Sequence, residues 1–230
     1  MIPVAFARMV AAFSGDRLAR YELEVLPVWD REGVDAREVL DLERLGAWEM
    51  CRRSWRTVHE TSPADLLCVL QDDFIPCHGF RDRLVAFLRR NPGYDAWCLF
   101  QPAAMPADVC ALMTPCVDFD IPDNAIAWGG SLVLRRHTVN RVLDRAALLG
   151  GFGQMDDLRV GTALRQLGIK TRNVGASLVR HVGAHWPSLC GNDDVRPESI
   201  EYRAGYSFAD DEFQLTDNEN SRTVGDTCAV

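Results

Sequence analysis

The sequence predicts an α/β fold with a mostly parallel central sheet. Two observations carry that reading. Short apolar runs of strand character alternate with segments of helical periodicity, the pattern of strand–helix units layered on one sheet. Hydrophobic residues make up 47% of the 230-residue chain, ample for a core of this kind. No apolar run approaches the roughly 18 residues of a membrane span.

In chain order, "IPVAFARMV" reads as a buried first strand. "SGDRLARYELE" opens with a helix-start signal at Ser14 and Asp16. "VLPVWD" reads as a second strand ending in Asp30. Residues 36–60 read as helix, because Trp48, Cys51, Trp55 and Val58 recur at spacings of three and four. "DLLCVLQDD" is a third strand, "GFRDRLVAFLRRN" a helix and "YDAWCLFQP" a fourth strand. After Pro102 the rhythm breaks into a proline-containing irregular stretch. "IAWGGSLVLRRHTVNRVLDRA" then gives a strand and a helix. "GGFGQMDDLRVGTALRQLG" is a glycine-rich loop opening a helix that stops at Gly168, and "KTRNVGASLVRHVGAHW" is a last strand and loop. These elements make one domain over residues 1–191, followed by an acidic polar tail, 192–230.

The net charge of −8 is unevenly placed. Residues 192–230 hold ten acids against three arginines, so the body is close to neutral and the low pI does not exclude a polyanionic partner. Lys170 is the single lysine, which points first to a GC-rich genome. Arginine also suits bidentate phosphate contacts. The eight cysteines include no CxxC pair, which leaves structural zinc with little support. Several lie in apolar runs, where a thiol packs as a small hydrophobe. With no basic leader at the N-terminus, free thiols and a cytoplasmic location are expected.

Four stretches carry chemistry. "LQDD" places Asp72 and Asp73 side by side at the end of a buried strand, where ligands of parallel sheets bind. Adjacent carboxylates repel and resist desolvation, so a divalent cation, a solvated turn or a helix N-cap has to relieve them. "MDDLR" places Asp156 and Asp157 at a helix start, as a cap with dipole partner or as a general base. "SLVRHVGAH" supplies His181 and His185, which satisfy local hydrogen bonds or ligate a metal or phosphate. In "AWGG", Trp128 stacks on a ring or packs in the core, beside Gly129 and Gly130.

Taken in order, strand-end Asp30, "LQDDFIPC", "WGGSLVLRR", "GGFGQMDDLRVGTALRQLG" and "SLVRHVG" resemble the GT-A glycosyltransferases, nucleotide-sugar enzymes with a single Rossmann-like domain. The likeness spans roughly residues 2–190. "LQDDFIPC" looks like their DxD-type metal motif, with Gln71 standing where a strict motif has its first Asp. "MDDLRVG" looks like the acidic pair of the acceptor-side helix. "SLVRHVGAH" is similar to the closing loop of the N-acetylglucosaminyltransferases that branch N-glycans.

The resemblance implies a hexosyltransferase that uses Mn²⁺ or Mg²⁺ and a nucleoside-diphosphate sugar, UDP-linked in the first instance. Asp73 and His181 would hold the metal. Asp30, Gln71, Asp72, Trp128, Gly129, Gly130 and His185 would surround the nucleotide and sugar. Asp157 would be the base in an inverting reaction; in a retaining one, Asp156 and Asp157 would position acceptor or sugar. A small, arginine-rich enzyme of this type fits a bacterial or phage-infected cell, and one acceptor is a hydroxymethylated base in phage-type DNA. Arginines at 52, 53 and 56, at 89 and 90, and at 135 and 136 could meet its phosphates or be ordinary solvated helix faces. Protein, glycan and small-molecule acceptors are the alternatives. So are two other classes, a nucleotidyltransferase and a non-catalytic nucleotide-sugar-binding module.

Overall fold

A computed structural model describes residues 2–100, 118–121, 130–153 and 156–182. Its main sheet has seven strands. These are β1 (Val4–Val10), β2 (Ala36–Leu40), β3 (Leu66–Gln71), β5 (Ala96–Cys98), β6 (Phe119–Asp120), β7 (Ser131–Arg135) and β8 (Thr171–Asn173), in the order β2-β1-β3-β7-β5-β8-β6. β1 pairs parallel with β2 and β3, and β5 pairs parallel with β8. β7 runs antiparallel between β3 and β5, and β6 antiparallel on β8. Five strands therefore point one way, as the alternation of elements predicts. A small second sheet pairs β4 (Phe74–Pro76) with β9 (Val179–His181).

The central strands β3, β7 and β5 are mainly apolar because both faces are covered. On one face Val10, Cys68, Leu70, Trp97 and Val133 pack under the N-terminal helices and α4 (Phe80–Arg90). On the other, Ala7, Leu67, Val69, Leu132 and Leu134 pack under α3 (Ala47–Thr61), α5 (Arg136–Ala147) and α6 (Asp156–Gln166). Trp29, Trp55 and Trp97 are among the largest fully buried side chains. Each contributes at least the roughly 1.5–3 kcal/mol of a large buried apolar side chain.

Two expected elements differ. "VLPVWD" is not a strand. It belongs to a helical run of α1 (Gly15–Arg20), a π-helical turn (Tyr21–Val25) and α2 (Leu26–Arg31). Arg17, Tyr21, Val25 and Trp29 are its buried side chains. A four-residue spacing drifts around a regular 3.6-residue helix; the wider π turn cancels part of that drift, so all four face the core. Residues 36–60 are not all helix either. Ala36–Leu40 forms the edge strand β2, whose burial pattern is largely exposed, and α3 starts only at Ala47. A solvated edge strand needs no apolar alternation, so its pattern is silent.

The site depends on how α2 is pinned. The Trp29 indole Nε1 donates to the Phe74 carbonyl at 2.8 Å, and its ring meets Phe80 edge-on at 5.1 Å. The segment just after Asp73 is thus fixed from behind. β9 fixes it from the side, since Phe74 pairs with His181 and the Val182 amide donates to the Asp73 carbonyl at 2.7 Å.

Among the described residues, no helix is long and apolar enough to cross a membrane. Cys51, Cys68, Cys77 and Cys98 are buried and not disulfide-bonded. The tail 192–230, together with Trp128, Gly129 and His185, lies outside the described residues.

Candidate active site

The carboxyl ends of the co-directional strands gather several loops. β1 ends at Val10 beside the end of β2, and Met9 lies opposite Gln71 of β3. Gly130, buried in a turn, leads into Ser131, which pairs with Leu70. α6 begins at Asp156 at this same end.

The positive charge required by "LQDD" is supplied by Arg17. Its Nε lies 2.9 and 3.1 Å from the two Asp72 oxygens, and its Nη2 lies 2.5 Å from Asp72 Oδ1 and 2.9 Å from Asp73 Oδ2. Asp72 Oδ2 also accepts from the Ala11 amide at 2.9 Å. All three side chains are nearly inaccessible, Arg17 at 2%, Asp72 at 1% and Asp73 at 3%. Burial pushes the Asp72 carboxyl up, and Arg17 and the Ala11 amide oppose that. Burial alone would weaken the Arg17 charge, but the Asp73 and Asp72 carboxylates outweigh it and hold the guanidinium more firmly protonated than usual.

His181 reaches the same carboxylate. Its Nε2 lies 3.1 Å from Asp73 Oδ2, and its ring packs against Phe74 at 5.2 Å. The structure thus brings together Asp73 and His181, which lie 108 residues apart in the sequence. With Nε2 protonated, the imidazole donates to Asp73; with Nε2 bare, it and the carboxylate form a nitrogen–oxygen donor pair. That pair suits a hard divalent cation that takes one or two protein ligands and completes its shell from substrate phosphates. Among the described residues, no cluster of three or more His, Cys, Asp or Glu forms a self-sufficient metal site.

The second acidic pair joins the first through Gln71. Its Nε2 donates to Asp156 Oδ2 at 3.2 Å. Burial, with the Asp157 charge beside it, pushes the Asp156 carboxyl up to about 7; the Gln71 bond works against that rise. Burial raises Asp157 as well, opposed by the Leu158 amide, which donates to its Oδ1 at 2.8 Å. α3 closes the far side, where burial and the Asp156 charge hold the Cys51 thiol well above its usual range.

Gln71, Asp72, Asp73, His181, Asp156 and Asp157 are thus linked around one end of the sheet, with Gly130 at its margin. Asp30 is not among them. It is exposed on α2, and its carbonyl accepts from Gly33 in the turn that ends that helix. The strand-end acid that Asp30 was expected to be is Asp41. It follows β2, is 1% exposed, and accepts from the Glu43 and Leu45 amides. Its own amide and carbonyl bond Val10 and Phe13, which ties the β1 and β2 loops together.

The arginine clusters have internal partners. Arg52 and Arg53 bond Glu49. Arg90 bonds Asp118. Arg135 donates to the Pro92 and Tyr94 carbonyls. Arg136 donates to His59, Ser62 and Ala64 carbonyls at the end of α3. Arg56 and Arg89 are exposed.

No protein family model matches the chain, and no curated protein matches it. Solved structures are similar at low identity. A protein from STIV shares 12% identity over 76% of this chain and 83% of its own, with a TM-score of 0.49. A CMP:2-keto-3-deoxy-manno-octonic acid synthetase, solved with CTP, shares 13% over 76% of this chain and 90% of its own, at 0.46. A Drosophila β1,4-galactosyltransferase 7, solved with manganese, UDP-Gal and xylobiose, shares 11% over 96% of this chain and 82% of its own, at 0.45.

Proposed function

We propose that the protein is a GT-A-type glycosyltransferase that moves a sugar from a nucleoside-diphosphate sugar, in the first instance a UDP-sugar, to an acceptor hydroxyl. One observation carries this reading. Two acidic pairs far apart in the sequence meet at the carboxyl end of the sheet, joined by the Gln71–Asp156 bond across 85 residues, with His181 on Asp73. Transfer to a hydroxyl needs two things at one place, a countercharge for the departing diphosphate and a base for the incoming nucleophile.

Asp73 and His181 would hold a Mn²⁺ or Mg²⁺ ion. When bound, such an ion supplies Lewis-acid stabilisation of the diphosphate's negative charge. The remaining work falls to the chain. The β1 and β2 loops, tied by Asp41, flank the nucleotide, and Gly130 borders the donor sugar; the resemblance adds Trp128, Gly129 and His185, which lie outside the described residues. Asp157 accepts the proton of the acceptor hydroxyl as its oxygen attacks the anomeric carbon. Its raised affinity for protons brings it closer to the operating pH, which favours a general base. Asp156, pushed up to about 7, carries its proton for part of the physiological range and limits the repulsion that Asp157 meets.

The acceptor supplies a hydroxyl. With the clusters at 52–53 and 135–136 bonded internally, a hydroxymethylated DNA base draws no special support over a protein, glycan or small-molecule acceptor. The test is product analysis with UDP-, GDP-, CDP- and TDP-sugars in Mn²⁺, for wild type and Asp157→Asn. Release of a nucleoside diphosphate by wild type alone supports the reading. Release of pyrophosphate from a nucleoside triphosphate identifies a nucleotidyltransferase instead, and binding without turnover identifies a binding module. A steep loss of acceptor affinity with salt would single out DNA.

A further inference from the structure

Arg17 does two different jobs for two adjacent carboxylates. On Asp72 it is a fixed partner: Nε and Nη2 both contact that carboxylate, and the Ala11 amide adds a further donor. On Asp73, Nη2 contacts Oδ2 at 2.9 Å, the same oxygen that His181 approaches at 3.1 Å. Both Asp72 oxygens are thus met from within the chain, while among the described residues Asp73 Oδ2 is approached by both Arg17 and His181.

We propose that Arg17 is the exchangeable countercharge of this site. It neutralises Asp73 while no divalent cation is present and yields that oxygen when one arrives, staying anchored on Asp72. This rests on the reading of Asp73 and His181 as cation ligands. Two cations cannot share one carboxylate oxygen without strong repulsion in a desolvated setting. Arg17 need not leave the pocket, because its contacts to Asp72 remain. A divalent ion brought with a diphosphate adds little net charge, so Arg17 stays compensated after the exchange. Asp72 is on this account the anchor of the β1–α1 loop, and Asp73 alone is the ligand acid.

The proposal predicts competition, which a purely structural ion pair would not show. Mn²⁺ alone is titrated, without nucleotide or sugar, into wild type, Arg17→Lys and Arg17→Gln. Bound ion is read from loss of the free Mn²⁺ paramagnetic resonance signal, and thermal midpoints are recorded in parallel. Arg17→Gln, which keeps a donor but no charge, is expected to bind Mn²⁺ at least about tenfold more tightly than wild type, a difference of about 1.4 kcal/mol. Its midpoint should rise more with Mn²⁺ than that of wild type. Arg17→Lys, which keeps the charge, should stay near wild type. If Arg17→Gln folds only in Mn²⁺, the ion has replaced the guanidinium and the proposal holds. Equal or weaker binding by Arg17→Gln overturns it, as does a variant that stays unfolded in Mn²⁺. Loss of Mn²⁺ binding in every chain overturns it together with the Asp73–His181 ligand assignment. Sugar transfer is read separately from nucleoside diphosphate release, so its failure leaves a different trace.

Discussion

Asp72–Asp73 and Asp156–Asp157 are the same dipeptide at the same end of the sheet, and the protein resolves their repulsion in opposite ways. The first pair is met by a buried arginine. For the second, among the described residues, no basic side chain bonds either acid; a neutral amide from Gln71 and a backbone amide are their partners. Repulsion there is relieved by a proton, and Asp156 rises to about 7. A carboxylate paired with a buried arginine is anchored by it and ties loops together. A carboxylate left with neutral partners becomes a group that gains and loses protons near neutrality. On the proposed reading, the contrast fits charge binding at one pair and proton transfer at the other.

The largest effect expected from breaking this division is on turnover. Asp157→Asn should lower kcat by about a hundredfold to ten-thousandfold, the range for loss of a general base, with the thermal midpoint little changed. Denaturant unfolding checks the first pair. Asp72→Ala leaves Arg17 buried with its main anchor removed and should cost about 3–5 kcal/mol.

The second pair should respond with the opposite sign. An unfolded aspartate titrates at about 3.9, whereas the native Asp156 titrates at about 7. Between those values the native state holds the extra proton, so stability falls as pH rises through that window, and the penalty is complete above it. Asp156→Asn should flatten that slope and be more stable than wild type at pH 8 by up to a few kcal/mol, with no such gain at pH 4. Unfolding midpoints across pH 4–8 measure it. The smallest effect belongs to Gln71→Leu. Removing the amide that favours the charged form should move the Asp156 titration above its present value and cost about 1 kcal/mol in stability, read by carboxyl chemical shifts against pH.

Much of this was legible in sequence where burial dictates residue type. β1, β3 and β7 are apolar because both faces are covered, and α4 and α5 show their core stripes plainly. The acidic pairs and His181 stood out because charge at the ends of apolar runs is costly. What escaped has equally physical causes. β2 is a polar edge strand, so Asp41 was not recognised as a strand-end acid, and the apolar residues of "VLPVWD" imitated a strand while belonging to a helix stripe at spacing four. Arg17 is not among the candidate residues that the sequence motifs single out. The available signal was its place on that stripe with Tyr21, Val25 and Trp29. A cation on the buried side of a helix calls for a buried anion, and Asp72 and Asp73 were the anions in want of one.

On the proposed reading, "LQDD" forms a cation-dependent nucleoside-diphosphate site. Its most direct test is thermal unfolding of wild type and Asp73→Asn with UDP, GDP, CDP, TDP and ADP, each with and without Mn²⁺. A ligand that binds only the folded state adds about 2.7 kcal/mol at a hundred times its dissociation constant. One diphosphate is expected to raise the wild-type midpoint only in Mn²⁺, and Asp73→Asn is expected to lose the shift. Midpoints that move with none of the five diphosphates, or that move equally in Asp73→Asn, would contradict it.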